Sequence, residues 1–271
     1  MKTLGFQKLG GVDPSWNSPK CAKTCDIPAI WRGSVDDFDL HLIKDADVVF
    51  IMAVIEHLIT PRRAIKRLVS GMKTGAKLII EVPSLDLFDG SSGEPLGELS
   101  LEHIQFFSLD SLKNMMVGLD LTLVEYSELT LPHSLGSLFA VFECAPEAAI
   151  EYRHASGDAL LMKHYINESN AKLARCLESL NGKKFILYGA GAHSARLVPI
   201  LEKKGIAVQA IVDGNPNYLG ETLGEIEIQD PEVISRMPET PILISSFRSE
   251  AVIKASCKGR FANKIVTLYG S

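Results

Sequence analysis

The sequence predicts an α/β protein with two sheet domains in tandem, and three observations carry that reading. Two stretches, 47–83 and 183–213, repeat the order apolar strand, helix, apolar strand. DVVFIMAV (Asp47–Val54) is a continuous, largely β-branched apolar run, as in strands buried on both faces. GAGAHS (Gly189–Ser194) puts a glycine turn between the strand FILY and a helix.

The elements follow in order. KLGGV (Lys8–Val12) reads as a short strand and VDPS (Val12–Ser15) as its turn. The stretch from there to Pro28 is poorly periodic and reads as irregular, and AIWRGS holds another short strand. After the strand at 47–54, RRAIKRLVSGM (Arg62–Met72) spaces Ala64, Ile65, Leu68, Val69 and Met72 helically. KTGAKLIIEVP (Lys73–Pro83) gives a glycine turn and a second buried strand, so the unit is a parallel crossover. Asp86 to Ser100, rich in Gly, Ser and acids, reads as a loop free to move. Ser108 caps a helix that closes at Gly118, with Met115 and Met116 packing inward. LTLVEYSEL and SLFAVFEC are two closing antiparallel strands.

The first domain is expected at 1–145, a connecting helix at 146–182, and a Rossmann-like domain at 183–271. In the last, PILISSF and NKIVTLYG supply later strands, with a helix around Ser249–Lys258 between them.

Composition bounds the function. The chain is 46% hydrophobic and 23% charged, ordinary for a globular protein with a core. A net charge of -5 without a basic block argues against nucleic acid. VVFIMAVI (Val48–Ile55), the longest apolar run, is too short for a bilayer, and MKTLGFQKLGG lacks the apolar stretch of a signal peptide. Cys21, Cys25, Cys144, Cys176 and Cys257 are scattered and odd in number, as expected of free thiols in a reducing cytoplasm. Cys21 and Cys25 have no second Cys/His pair, so no metal site is expected.

The chemistry-bearing residues fall into four groups. Asp13 ends the first strand, where an acid either accepts a ribose hydroxyl or makes an Asx turn with Ser15. Glu56 and His57 follow the buried strand, at the end where open sheets bind ligands. His57 is a candidate acid–base, or else it lines a cleft wall. Glu102 and His103 precede the capped helix; a carboxylate beside an imidazole is a plausible general-base unit, unless His103 only positions the loop. Gly189, Gly191 and Ser194, with Asp213 closing the next strand, make a candidate nucleotide site, or a tight turn that binds nothing.

Taken together, VDPS, then DVVFIMAVIEHLITPRRAIKRLVSGMKTGAKLIIEVPS, then LEHIQFFSLDSLKNMM resembles the later part of a class I S-adenosylmethionine-dependent methyltransferase. ILYGAGAHSARLVPIL, VDGNPNYLGETLGEIEI and ILISSF are similar to the C-terminal domain of sugar C-methyltransferases. The resemblance implies an incomplete class I methyltransferase fold in the first domain and S-adenosylmethionine as cofactor. It also implies Asp13 on the ribose and Glu102 and His103 as catalytic base. The family's first strand, glycine loop and N-terminal zinc-binding domain precede the segment that resembles this chain, and Ser100 stands where a tyrosine is frequent. A fragment, a late-assigned start and a decayed enzyme kept as a scaffold are the three expectations that follow.

Two functions remain in view. One is methyl transfer to a small molecule or sugar nucleotide. The other is nucleotide or sugar-nucleotide binding by the second domain without catalysis, with an NAD-dependent oxidoreductase as a weaker third. Unpaired edges in the first sheet favour a partner strand or a homodimer.

Overall fold

The computed structural model describes residues 5, 6, 8–15, 18–25, 27, 29–91, 93–100, 102–130, 136–145, 150–180 and 182–270. It is a mixed α/β protein of two compact units. Unit 1 holds Met1–Leu87 and Glu102–Ala159, and unit 2 holds Phe88–Leu101 and Leu160–Ser271. The boundaries expected at 145 and 182 are therefore redrawn.

Unit 1 begins with strand β1 (Gly10–Asp13), helix α1 (Ser18–Cys25) and strand β2 (Ala29–Arg32), which pairs parallel with β1. The expected irregular stretch thus contains a helix. SPKCAKTC offers only Cys21, Ala22 and Cys25 at helical spacing, too short and weakly apolar a series for periodicity to reveal the helix. Next come β3 (Val48–Met52), α2 (Pro61–Gly71) and β4 (Lys77–Pro83), with β3 and β4 parallel. Ala64, Ile65 and Leu68 bury one face of α2. Helix α3 (Leu109–Met116) starts at a reciprocal cap: Ser108 Oγ accepts from Ser111 N at 3.1 Å while Ser108 N donates to Ser111 Oγ at 2.8 Å. Strands β5 (Leu121–Leu129) and β6 (Ser137–Cys144) pair antiparallel, and β6 closes antiparallel on β4.

The resulting orders are β3-β4-β6-β5 and, separately, β1-β2. Among the described residues, β1 pairs only with β2 and β3 only with β4. Leu78, Ile80 and Val82 from β4 and Leu138, Ala140 and Phe142 from β6 share one core with Ile51, Leu112 and Met116, and Val12 of β1 packs against it. Each fully buried aliphatic side chain of this kind contributes on the order of 2 kcal/mol.

Helix α4 (Asp158–Glu178), much shorter than the expected 146–182, belongs to unit 2 from Leu160 onward. The sheet of unit 2 comprises β7 (Lys184–Tyr188), β8 (Ala207–Val212), β9 (Thr222–Leu223), β10 (Ile226–Gln229), β11 (Ile242–Ile244) and β12 (Ile265–Val266). Their order is β12-β11-β7-β8-β10-β9, parallel except for β9. Helices α5 (Ala192–Lys203) and α6 (Glu250–Cys257) complete it. Leu173 and Leu177 of α4 pack on Leu187, Leu197 and Leu243. The chain leaves β7 toward β8 on one side and reaches β11 on the other, so a topological switch point lies at the carboxyl ends of β7 and β11.

Of the stretch Asp86–Ser100, expected to be a mobile loop of the first domain, the part from Phe88 on falls in unit 2 and is held there. Glu98 N donates to Tyr165 Oη at 2.9 Å, Lys172 Nζ donates to the Gly93 carbonyl at 2.8 Å, and Arg196 pairs with Glu94. Gly90 crosses α4 so closely that a Cβ would lie 2.5 Å from the Tyr165 carbonyl oxygen. Among the described residues, no helix is long and apolar enough to cross a membrane.

Candidate functional site

In unit 1 the chain leaves β3 through Ala53, whose φ of 51° is left-handed and uncommon for a residue with a Cβ. The turn Ile55–His57 follows. It carries Glu56 inward, to 1% exposure, and leaves His57 at the surface. The segment 102–105 is stitched onto this turn. Ile104 N and Gln105 N both donate to the Glu56 carbonyl at 3.0 Å, and Gln105 Nε2 donates to the Leu58 carbonyl at 3.3 Å. His57 Nδ1 lies 2.8 Å from the Glu102 carbonyl oxygen.

That stitching brings His103 to His57, ring centroids 5.0 Å apart and edge to face. Burial lowers the His103 pKa, the nearby His57 adds to this, and the Glu102 carboxylate works the other way. His103 is thereby held as a neutral imidazole able to accept a proton. Burial raises the Glu56 carboxyl, with Glu81 adding a like charge. Glu102 therefore plays two parts: its backbone orients His57, and its carboxylate acts on His103.

Asp13 stands at the exposed carboxyl end of β1, where its Oδ1 accepts from Ser15 N at 2.7 Å. The Asx turn is thus present. Beside the stitched segment is a cavity of about 660 Å³, lined by Arg63, Lys66, Gln105, Phe106 and Met115 among others.

In unit 2 a cavity of about 600 Å³ opens at the switch point, between Gly189, Gly191, His193, Asp213, Ser245 and Arg248. The glycines differ in purpose. Gly189 has φ 114°, and a Cβ there would lie 2.7 Å from the Ser245 carbonyl oxygen, so it permits the close approach of two strand ends. A Cβ on Gly191 would meet nothing within 4 Å. Gly191 precedes α5, whose first amides have no side-chain cap.

Ser194 corrects its expected role. It is fully buried, its Oγ 2.6 Å from both the Gly189 carbonyl oxygen and Ser245 Oγ, so it braces the turn and offers nothing to a ligand. Asp213 is likewise committed to the backbone: Oδ2 accepts from Ala190 N and Oδ1 from Asn215 N, both at 2.7 Å.

His193 is a residue the sequence reading passed over although it lies inside GAGAHS. Its Nδ1 is 2.9 Å from Ser245 Oγ and its Nε2 2.6 Å from Tyr269 Oη. Burial lowers its pKa to about 4, so the ring is neutral at neutral pH.

Residues 1–126, just under half of the chain, match the family model described as a methyltransferase domain. No curated protein matches the sequence. Among solved structures, the plantazolicin methyltransferase BpumL, in complex with a pentazolic desmethylPZN analog and SAH, is 15% identical with a TM-score of 0.43, over 53% of this chain and 70% of its own. A protein of Thermotoga maritima, described as a possible histamine N-methyltransferase, is 19% identical with a TM-score of 0.40, over 51% and 73%. An S-adenosylmethionine-dependent methyltransferase of Mesorhizobium loti is 10% identical with a TM-score of 0.40, over 50% and 80%. The family match supports S-adenosylmethionine as the cofactor.

Proposed function

We propose that unit 1 transfers a methyl group from S-adenosylmethionine to a small-molecule acceptor, an anionic one such as a sugar nucleotide. The observation that carries this reading is the convergence of Glu102, His103 and His57 at the carboxyl end of β3, inside a chain whose residues 1–126 match a methyltransferase domain. Asp13 takes a ribose hydroxyl of the cofactor, from the end of β1. His103, with Glu102 and His57 beside it, accepts the acceptor's proton. The acceptor's freed electron pair then bonds to the methyl carbon. The carbon–sulfur pair stays on sulfur, leaving S-adenosylhomocysteine. Positioning supplies much of the rate. The exposed cations Arg63 and Lys66, in the cavity that shares Gln105 with the stitched segment, favour a phosphate-bearing acceptor.

A second reading rests on unit 2. Gly191 and the uncapped start of α5 face a cavity with Arg248 on its wall, which suits a nucleotide phosphate. Holding the sugar nucleotide there without catalysis is the alternative function. The edges of β1 and β3, unpaired among the described residues, favour a second copy of the chain or another strand as partner.

The test is transfer of labelled methyl from S-adenosylmethionine to a panel of sugar nucleotides. His103→Gln should lower turnover by about 10²-fold or more if His103 takes the proton. Unchanged turnover in that variant refutes its role, and absence of transfer to any acceptor leaves the unit 2 reading standing.

A further inference from the structure

The turn after β3 holds an arrangement that proton abstraction by one imidazole does not require. Glu56 is 1% exposed, and neither carboxylate oxygen meets a hydrogen-bond donor among the described residues. A buried carboxylate without partners is costly. Native proteins rarely keep such a group unless a water or an ion satisfies it. Its Oε1 lies 3.8 Å from His57 Nε2. On the far side of that ring, Nδ1 faces the Glu102 carbonyl at 2.8 Å. A carbonyl can only accept, so Nδ1 is the donor there, and in the neutral tautomer that this bond selects the Nε2 lone pair points toward the carboxylate. Outer partners fix metal-ligating imidazoles in this way. His103 completes the group: one ligand atom from each of Glu56, His57 and His103 lies within 4.8 Å of the others.

We propose that Glu56, His57 and His103 bind a divalent transition-metal ion of the zinc, iron(II) or manganese class. Two imidazoles with one carboxylate suit these ions, whereas magnesium and calcium prefer all-oxygen sets. Bonds of about 2.0–2.2 Å to a tetrahedral ion put donor atoms roughly 3.4 Å apart, so the three side chains need to close by about an ångström. Three protein ligands leave a coordination position for water or another oxygen. His57, the exposed member, puts the cluster near the surface. The proposal goes beyond the proton-accepting role of His103: a ligated nitrogen has no lone pair for a proton, so the ion-bound and ion-free clusters treat an acceptor differently.

The test needs no methyl acceptor, so the site and the reaction fail separately. The full chain, freed of metal by a chelator, is titrated with Co²⁺ as a visible probe, followed by Zn²⁺ in competition. One equivalent of Co²⁺ should bind with visible absorption bands that Zn²⁺ abolishes. Glu56→Gln, His57→Ala and His103→Asn should each weaken binding at least tenfold, since outer-partner changes alone cost about 10–100-fold. Two variants guard against misfolding: Glu56→Gln removes a buried unpaired charge and should melt no lower than wild type without metal, and His57→Ala, at the surface, should lose no more than the roughly 1 kcal/mol of its bond to the Glu102 carbonyl. No saturable equivalent, or an affinity that all three substitutions leave unchanged, overturns the proposal.

Discussion

Glu98 shows what a half-buried acid does at the residue scale. Its Oε2 has no hydrogen-bond partner among the described residues, and burial pushes its pKa up to about 7, with Arg248 opposing. The ordinary value is 4.5, so between these limits the folded protein holds a proton that the unfolded chain releases. The stability this contributes is complete below about pH 4.5 and is lost as pH rises through 7. Glu98→Gln should therefore raise stability at pH 8 by roughly 1–2 kcal/mol, a gain that disappears at pH 4, in thermal melts across that range. Gly189→Ala should do the opposite at any pH, costing about 2–4 kcal/mol, because its Cβ meets the Ser245 carbonyl and its φ is 114°. The glycine pattern was legible in GAGAHS, but the division of labour was not. Whether Ser194 faces a ligand or the sheet depends on Ser245, 51 residues away.

Elements with strong local patterns were legible. Continuous apolar runs marked β3 and β4, alternation marked β6, and Ser108 marked the start of α3. Ser108→Ala should cost about 1 kcal/mol through the lost cap, with a further loss from its 2.9 Å bond to Asp158, read by denaturant unfolding. The segment 88–101 was not legible, because nothing in its composition reports the side chains of α4 and α5 that hold it. Gly90→Ala would press a Cβ onto the Tyr165 carbonyl and the Ser169 amide. Faster hydrogen exchange at the Glu98 amide, with β7 protected as before, is the expected result; unchanged exchange would show that the crossing tolerates a methyl group. The same limit hid how the two histidines, expected in one catalytic set, come together. His57 and His103 meet because the Glu56 carbonyl accepts two amides from a distant segment.

At the scale of the whole molecule, each unit encloses its own core. Unit 2 presents a glycine turn at a switch point, and unit 1 presents an acid at the end of β1 and two imidazoles after β3. The edges of β1 and β3, unpaired among the described residues, predict self-association: sedimentation should find a species heavier than the 29.6 kDa chain, and a strictly monomeric protein would contradict it. Methyl transfer by unit 1 is the central claim, and cofactor binding tests it most directly. Calorimetric titration of the full chain with S-adenosylhomocysteine should give a saturable heat at one site, weakened by Asp13→Ala and indifferent to Gly191→Ala. A flat titration, or a heat lost through Gly191 and not through Asp13, would contradict it.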